Sequence, residues 1–150
     1  MSGGVRFAIA LGSNLGDSRA ILADAVERLA SLPGVAVDAV SALYRTAPVG
    51  GVVQDDFLNA VAVGRTTLPA EALLAACHAI EAAHRRTREV RWGPRTLDLD
   101  LLALGDERRD DPALTLPHPR AHERAFVLLP WLDADPDAVL PGRGRVADLA

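Results

Sequence analysis

The chain contains no lysine: all 16 of its basic residues are arginine. That absence excludes a Walker A phosphate loop, a protein-kinase strand lysine and a Schiff-base mechanism. Any phosphate must be held by arginine, by metal or by backbone amides. Cysteine is nearly as scarce. Cys77 stands alone, so there is no intramolecular disulfide, and its place in a helical pattern reads as a buried small hydrophobe. Aromatic residues make up only 4%, too few for a sheet that stacks RNA bases. No apolar run approaches the roughly 18 residues of a membrane span. The first residues, Met-Ser-Gly-Gly-Val-Arg, run into a strand-like segment without the apolar region of a signal peptide. A cytoplasmic protein without membrane contacts is expected.

With 150 residues, 49% apolar and 24% charged, the chain fits one globular domain over 1–150 with a substantial core. Its net charge of −4 argues against nucleic-acid binding. The charge is unevenly spread, however. Arg85, Arg86, Arg88, Arg91 and Arg95 face a single acid, Glu89, within one short window.

That window leads into Arg91-Trp92-Gly93-Pro94-Arg95-Thr96-Leu97-Asp98-Leu99-Asp100-Leu101-Leu102. From Thr96 the pattern is a strand, because Leu97, Leu99 and Leu101 alternate with Thr96, Asp98 and Asp100. Asp98 and Asp100 then share a face, about 6.6 Å apart along the backbone. Like charges so close on an apolar strand call for a cation. Hard divalent cations with oxygen ligands are the natural partner, and Mg²⁺ typically takes one or two carboxylates plus substrate phosphates. Carboxylates for metal beside guanidinium groups for phosphate point to phosphoryl-transfer chemistry. An isolated Asp-x-Asp is common and often merely solvated, and an arginine run read alone is equally a solvated loop.

The remaining chain organises around that stretch. Residues 5–11 read as a strand that runs into Gly12-Ser13-Asn14-Leu15-Gly16-Asp17, either a phosphate cradle or a tight turn with a helix cap. A helix to about Ser31 buries Leu22, Ala25, Val26 and Leu29. Residues 35–46 form a second β segment whose apolar phase changes midway, predicting a bulge. Residues 47–55 are a loop, and 57–63 a third strand with Phe57, Asn59, Val61 and Val63 on one face. Asn59 is either a structural amide or a group that reads a planar heterocycle. Thr67-Leu68-Pro69 opens a second helix, with Leu73, Leu74, Cys77, Ile80 and Glu81 in one stripe. His78 and His84 read as helix-surface residues, with His84 able to pair with Glu81 at i, i+3. Thr115 lies in a short edge segment, 114–116. His118, between two prolines, is either a turn residue or a phosphate donor. A third helix is expected over 120–132 and a last turn over 146–149. The order β-α-β-β-α-β plus a helix is a ferredoxin-like split βαβ arrangement, an α/β (α+β) class.

Five motifs occur in one order: Leu11-Gly12-Ser13-Asn14-Leu15-Gly16, Tyr44-Arg45-Thr46, Phe57-Leu58-Asn59-Ala60, Arg91 through Asp100, and Leu116-Pro117-His118-Pro119. In these the chain closely resembles the 6-hydroxymethyl-7,8-dihydropterin pyrophosphokinases of folate biosynthesis. The resemblance implies an ATP-dependent transferase acting as a monomer, with ATP and the hydroxymethyldihydropterin as its partners. It implies that Asp98 and Asp100 ligate two Mg²⁺ ions. Arg86 and Arg95 would act on phosphate oxygens together with His118 and Arg124. Arg91 and Trp92 would belong to a loop closing over the nucleotide, and Glu81 and Thr115 would contact that nucleotide. Phe57 and Phe126 would sandwich the pterin, Asn59 would hydrogen-bond its edge, and the backbone at Thr46 and Val49 would complete the pocket. Two rival classes stay in view: a metal-dependent phosphohydrolase indifferent to pterin, and a binding module without turnover.

Overall fold

The computed structural model of the protein describes residues 4–13, 18–46, 57–87, 97–110, 114–116, 118 and 125–149. Its main sheet holds β1 (Val5–Ser13), β2 (Val35–Val40), β3 (Tyr44–Thr46), β4 (Phe57–Thr66) and β5 (Asp98–Leu104). The strand order is β2-β4-β1-β5, with β3 also paired to β4, and every pairing is antiparallel. Helices α1 (Ser18–Ala30) and α2 (Ala70–Thr87) connect these strands. This is the ferredoxin-like arrangement expected from the element order.

Period-two side chains split the core into two clusters, one on each face of the sheet. On one face Phe7, Ile9, Leu11, Leu99 and Leu101 pack against Ile21, Leu22, Ala25 and Leu29 of α1 and Leu73, Cys77 and Ile80 of α2. On the other, Ala8, Val61, Val63 and Leu102 pack against Val127, Leu128 and Trp131 of helix α3 (Ala125–Ala134). The expected third helix thus begins at Ala125 among the described residues. Residues 120–124 lie outside them.

The phase change in the second β segment is borne out, and it resolves into two features. The register between β2 and β4 shifts between Val37 and Ala39, and the strand then breaks at 41–43 before resuming as β3. Ser41 bridges the break: its N–H donates to the Val61 carbonyl at 2.9 Å, and its Oγ accepts the Val61 N–H at 2.9 Å. Asp133 of α3 accepts the Ala42 N–H at 2.7 Å, so a helix on the second face satisfies backbone that the break leaves open.

β1 does not stop at Leu11. It continues through Gly12, paired with both β4 and β5, and Ser13, paired with β4, so Gly12 is a strand residue and not part of a turn. Asn14 to Asp17 lie outside the described residues. β5 is described from Asp98, with Leu97 buried just ahead of it, and Thr96 lies outside the described residues. The predicted edge segment forms β7 (Thr115–Leu116), which pairs with β6 (Arg109–Asp110). The tail adds a hairpin not anticipated from sequence, β8 (Val139–Leu140) and β9 (Gly144–Arg145), turning through Gly142 at φ +84°. The expected last turn is α4 (Val146–Leu149). Among the described residues no helix is long and apolar enough to cross a membrane.

Candidate active site

Asp98 and Asp100 are both exposed while Leu99 between them is buried. The leucines are drawn onto the α1/α2 core, which turns the two carboxylates together onto the opposite face. There, α3 packs on Ala8, Val61, Val63 and Leu102. The register then brings the rest of the site together. Asp98 pairs with Gly12, Gly12 with Asn59, and Asn59 with Tyr44, and cross-strand partners share a face. A single row therefore runs Asp98–Gly12–Asn59–Tyr44 across four strands. Asp100 stands in the next row, opposite Ala10 and then Val61. At about 4.8 Å per strand, Asn59 and Asp98 are about 10 Å apart with only a glycine between them.

That glycine is a residue that sequence periodicity alone did not single out. A Cβ at Gly12 would stand 3.2 Å from Asn59 Oδ1, so the low floor between the amide and the carboxylates is needed where the Asn59 side chain lies down. Asn59 is 9% exposed, held at the rim of the core where an amide is desolvated yet reachable.

Beyond Asp100, the β1–β5 register shifts between Ala8 and Ile9, leaving Leu102 as the extra residue. Its carbonyl accepts the His118 N–H at 2.9 Å. The bulge thus ties His118 to the same strand that carries the two aspartates. Thr115 and His118 line one open cavity of about 480 Å³ with Arg108, Arg109 and Arg143. Arg109 is committed to structure, donating to Glu71 and Glu107 at 2.6 Å each.

α2 supports the site from beneath. Glu81, half-buried, accepts the backbone N–H of Leu99 at 2.7 Å through Oε2. Burial pushes its carboxyl above the ordinary range, and the nearby charges of Asp98 and Asp100 push the same way, against the lowering effect of the Leu99 bond. One turn earlier Cys77 is fully buried, and desolvation raises its thiol to about 12. Here the expected pairing of His84 with Glu81 is corrected. His84 is buried, and its Nε2 lies 2.9 Å from the Asp24 carboxylate on α1. The α1/α2 contact swings His84 inward, while the free edge of β5 claims Glu81.

The sequence matches the family model described as 7,8-dihydro-6-hydroxymethylpterin-pyrophosphokinase (HPPK) over residues 8–136. The chain belongs to this family. It is 51% identical to the 2-amino-4-hydroxy-6-hydroxymethyldihydropteridine pyrophosphokinase of Methylorubrum extorquens, covering 89% of this chain and 85% of that protein. Identity to the protein of the same name from Pseudomonas aeruginosa is 43%, over 96% of this chain and 89% of the relative. The fold is similar to a Plasmodium falciparum HPPK-DHPS crystal structure, with a TM-score of 0.75 at 14% identity. That match takes in 99% of this chain and 45% of the other, so the pyrophosphokinase spans less than half of that longer protein.

On this HPPK chain the structure brings Asp98, Asp100, Asn59 and Glu81 to one end of the sheet and ties His118 to the aspartate strand. Thr115 shares a cavity with His118 and lies away from the Asn59 row. Arg86, Thr46, Phe57 and Phe126 have backbone within α2, β3, β4 and α3, and their side chains lie outside the described part. Val49, Arg91, Trp92, Arg95 and Arg124 lie outside the described residues altogether.

The donor set fits a hard divalent cation. Asp98 and Asp100 supply two solvent-facing carboxylates on one face, and their charges are felt at Glu81. Among the described residues no group of three or more His, Cys, Asp or Glu side chains surrounds a common point. Two carboxylates that leave the rest of a shell to substrate oxygens and water suit a divalent cation that comes with a nucleotide.

Proposed function

We propose that this chain transfers the pyrophosphoryl group of ATP to 6-hydroxymethyl-7,8-dihydropterin, giving the pterin diphosphate and AMP, in folate biosynthesis. The observation that supports the reading is the row Asp98–Gly12–Asn59, in which a carboxylate and an amide stand about 10 Å apart with only a glycine between them. A pterin held by Asn59 at its donor- and acceptor-rich edge directs its hydroxymethyl group back across Gly12 toward the aspartates. Phe57 and Phe126 stack on the ring faces, and the backbone at Thr46 and Val49 closes the pocket.

Asp98 and Asp100 would hold two Mg²⁺ ions that come with ATP. When bound, Mg²⁺ neutralises phosphate charge and makes phosphorus more electrophilic. The chain's own residues do the rest. Arg86 and Arg95 fork onto phosphate oxygens and stabilise charge that grows in the transition state, and His118, Arg124 and Thr115 hold the nucleotide. Arg91 and Trp92 close over the site and exclude water, which would otherwise compete as nucleophile. The pterin hydroxyl oxygen bonds to the β-phosphorus, the bond from that phosphorus to the α–β bridging oxygen breaks, and AMP leaves with the bridging oxygen. The hydroxyl proton passes to solvent. Arginine performs all the cationic work that lysine shares in other phosphoryl-transfer enzymes, because it stays charged and contacts two oxygens at once.

The test is the adenine nucleotide formed from ATP and Mg²⁺ with and without the pterin. One AMP per pterin consumed, and none without it, is expected. ADP, or nucleotide breakdown independent of pterin, would overturn the reading. Arg95→Ala should lower kcat more than it weakens pterin binding; a pure binding effect would contradict the charge-stabilising role.

A further inference from the structure

Among the described residues β5 is the edge strand of the sheet, so every second residue presents its backbone groups outward with no described strand to receive them. Leu99 is such a residue, and it is the one between the two aspartates. Its outward N–H does not meet water alone: it donates to Glu81 Oε2 at 2.7 Å. Bonds from a backbone N–H to a carboxylate are short and strong because the acceptor carries charge. The support behind Glu81 is rigid. It stands one turn beyond Cys77 and beside Ile80, both buried in the α1/α2 core, and that core also holds Leu99 and Leu101.

We infer that Glu81 is a positioning residue for the cation site, clamping the backbone of Leu99 so that Asp98 and Asp100 leave the strand edge in one fixed orientation. The inference rests on reading those aspartates as cation ligands, and it goes beyond a nucleotide contact. Without the clamp, a charged pair on an unpartnered edge strand has every electrostatic reason to splay. With it, the backbone between the carboxylates stays in place and a bound cation meets both at one fixed spacing. Partners of this kind behind metal ligands typically govern 10- to 100-fold in affinity or rate.

The experiment compares Glu81→Ala, which removes the acceptor, with Glu81→Gln, which keeps an acceptor oxygen at the same reach. Three readouts are taken: hydrogen exchange of the Leu99 amide by NMR, Mn²⁺ affinity of the chain alone by EPR titration, and kcat with KM for the pterin. In Glu81→Ala the Leu99 amide should exchange at least about tenfold faster, and Mn²⁺ affinity and kcat should each fall about 10- to 100-fold with pterin KM little changed. Glu81→Gln should keep Leu99 protected and recover kcat to within about threefold of wild type. Should Glu81→Ala fail to fold, Glu81→Gln still decides. A protected Leu99 amide with kcat and Mn²⁺ affinity both collapsed would mean that charge, not position, matters, and the inference would be wrong. Fast Leu99 exchange in Glu81→Ala with wild-type Mn²⁺ affinity would overturn it equally. A wild-type chain that binds Mn²⁺ no better than Asp100→Ala would remove the cation reading underneath, a result distinct from either.

Discussion

Gly12 and Asn59 face each other across β1 and β4, and a Cβ on Gly12 would come within 3.2 Å of Asn59 Oδ1. The glycine is required here by proximity and not by backbone angle, since it lies in regular strand. Gly12→Ala should therefore leave the fold intact and push the amide a few tenths of an ångström from its place. The expected result is a rise in KM for the pterin of about tenfold, equivalent to about 1.4 kcal/mol, with KM for ATP little changed. Steady-state kinetics with each substrate varied in turn checks it. An equal effect on both would mean the glycine serves the nucleotide side of the floor.

Asp100 is exposed and does not help to hold the core. Asp100→Ala should lower kcat at least about 10³-fold through loss of cation-dependent charge stabilisation. Thermal stability should be unchanged or slightly raised, because repulsion with Asp98 and Glu81 is relieved. Circular dichroism against temperature, run beside the AMP assay, separates the two; loss of folding would assign Asp100 to structure instead.

The Asp24 carboxylate meets Arg28 at 2.7 Å and His84 at 2.9 Å. Hydrogen bonding to Arg28 is the main cause that holds its pKa below the ordinary 3.8, and the His84 contact acts in the same direction. A depressed carboxyl stabilises the folded chain above its unfolded pKa, and that contribution is lost as pH falls through the folded value. Asp24→Asn should therefore shrink the stability gap between pH 7 and pH 3, measured by urea unfolding at both. An unchanged gap would show that the helix pair draws nothing from this carboxylate.

Gly64 has no room for a side chain. A Cβ there would lie 2.0 Å from the Ala36 carbonyl oxygen, at the point where β2 approaches its bulge against β4. The obstacle is backbone, which cannot rotate away. Gly64→Ala should cost at least about 2 kcal/mol in stability, read as a lowered urea midpoint, and a midpoint within error of wild type would refute the close approach.

Cys77 is fully buried with its thiol raised to about 12. At pH 8 the native chain should react negligibly with a thiol-specific disulfide reagent and give one equivalent once denatured. Rapid labelling of the native chain would mean that α2 opens at this turn.

Much of this molecule is local and so is readable in the chain. The Leu/Asp alternation of β5 reports its two faces because side chains on a strand must point to opposite sides. The lost phase between Val37 and Val40 reports a bulge for the same reason. The absence of lysine restricts how phosphate can be held before any coordinate is known. Other features depend on which strands become neighbours. Gly12 read as the start of a phosphate cradle or of a tight turn, and only pairing with Asn59 on one side and Asp98 on the other makes it the low floor between them. Glu81 and His84 share a helix at a spacing that allows them to pair. Yet an edge strand with an unsatisfied N–H takes the first, and the packing of α1 against α2 takes the second to Asp24. Periodicity along one element determines which way a side chain points. What it meets there is decided by another part of the chain, brought close by burial of a core that both share.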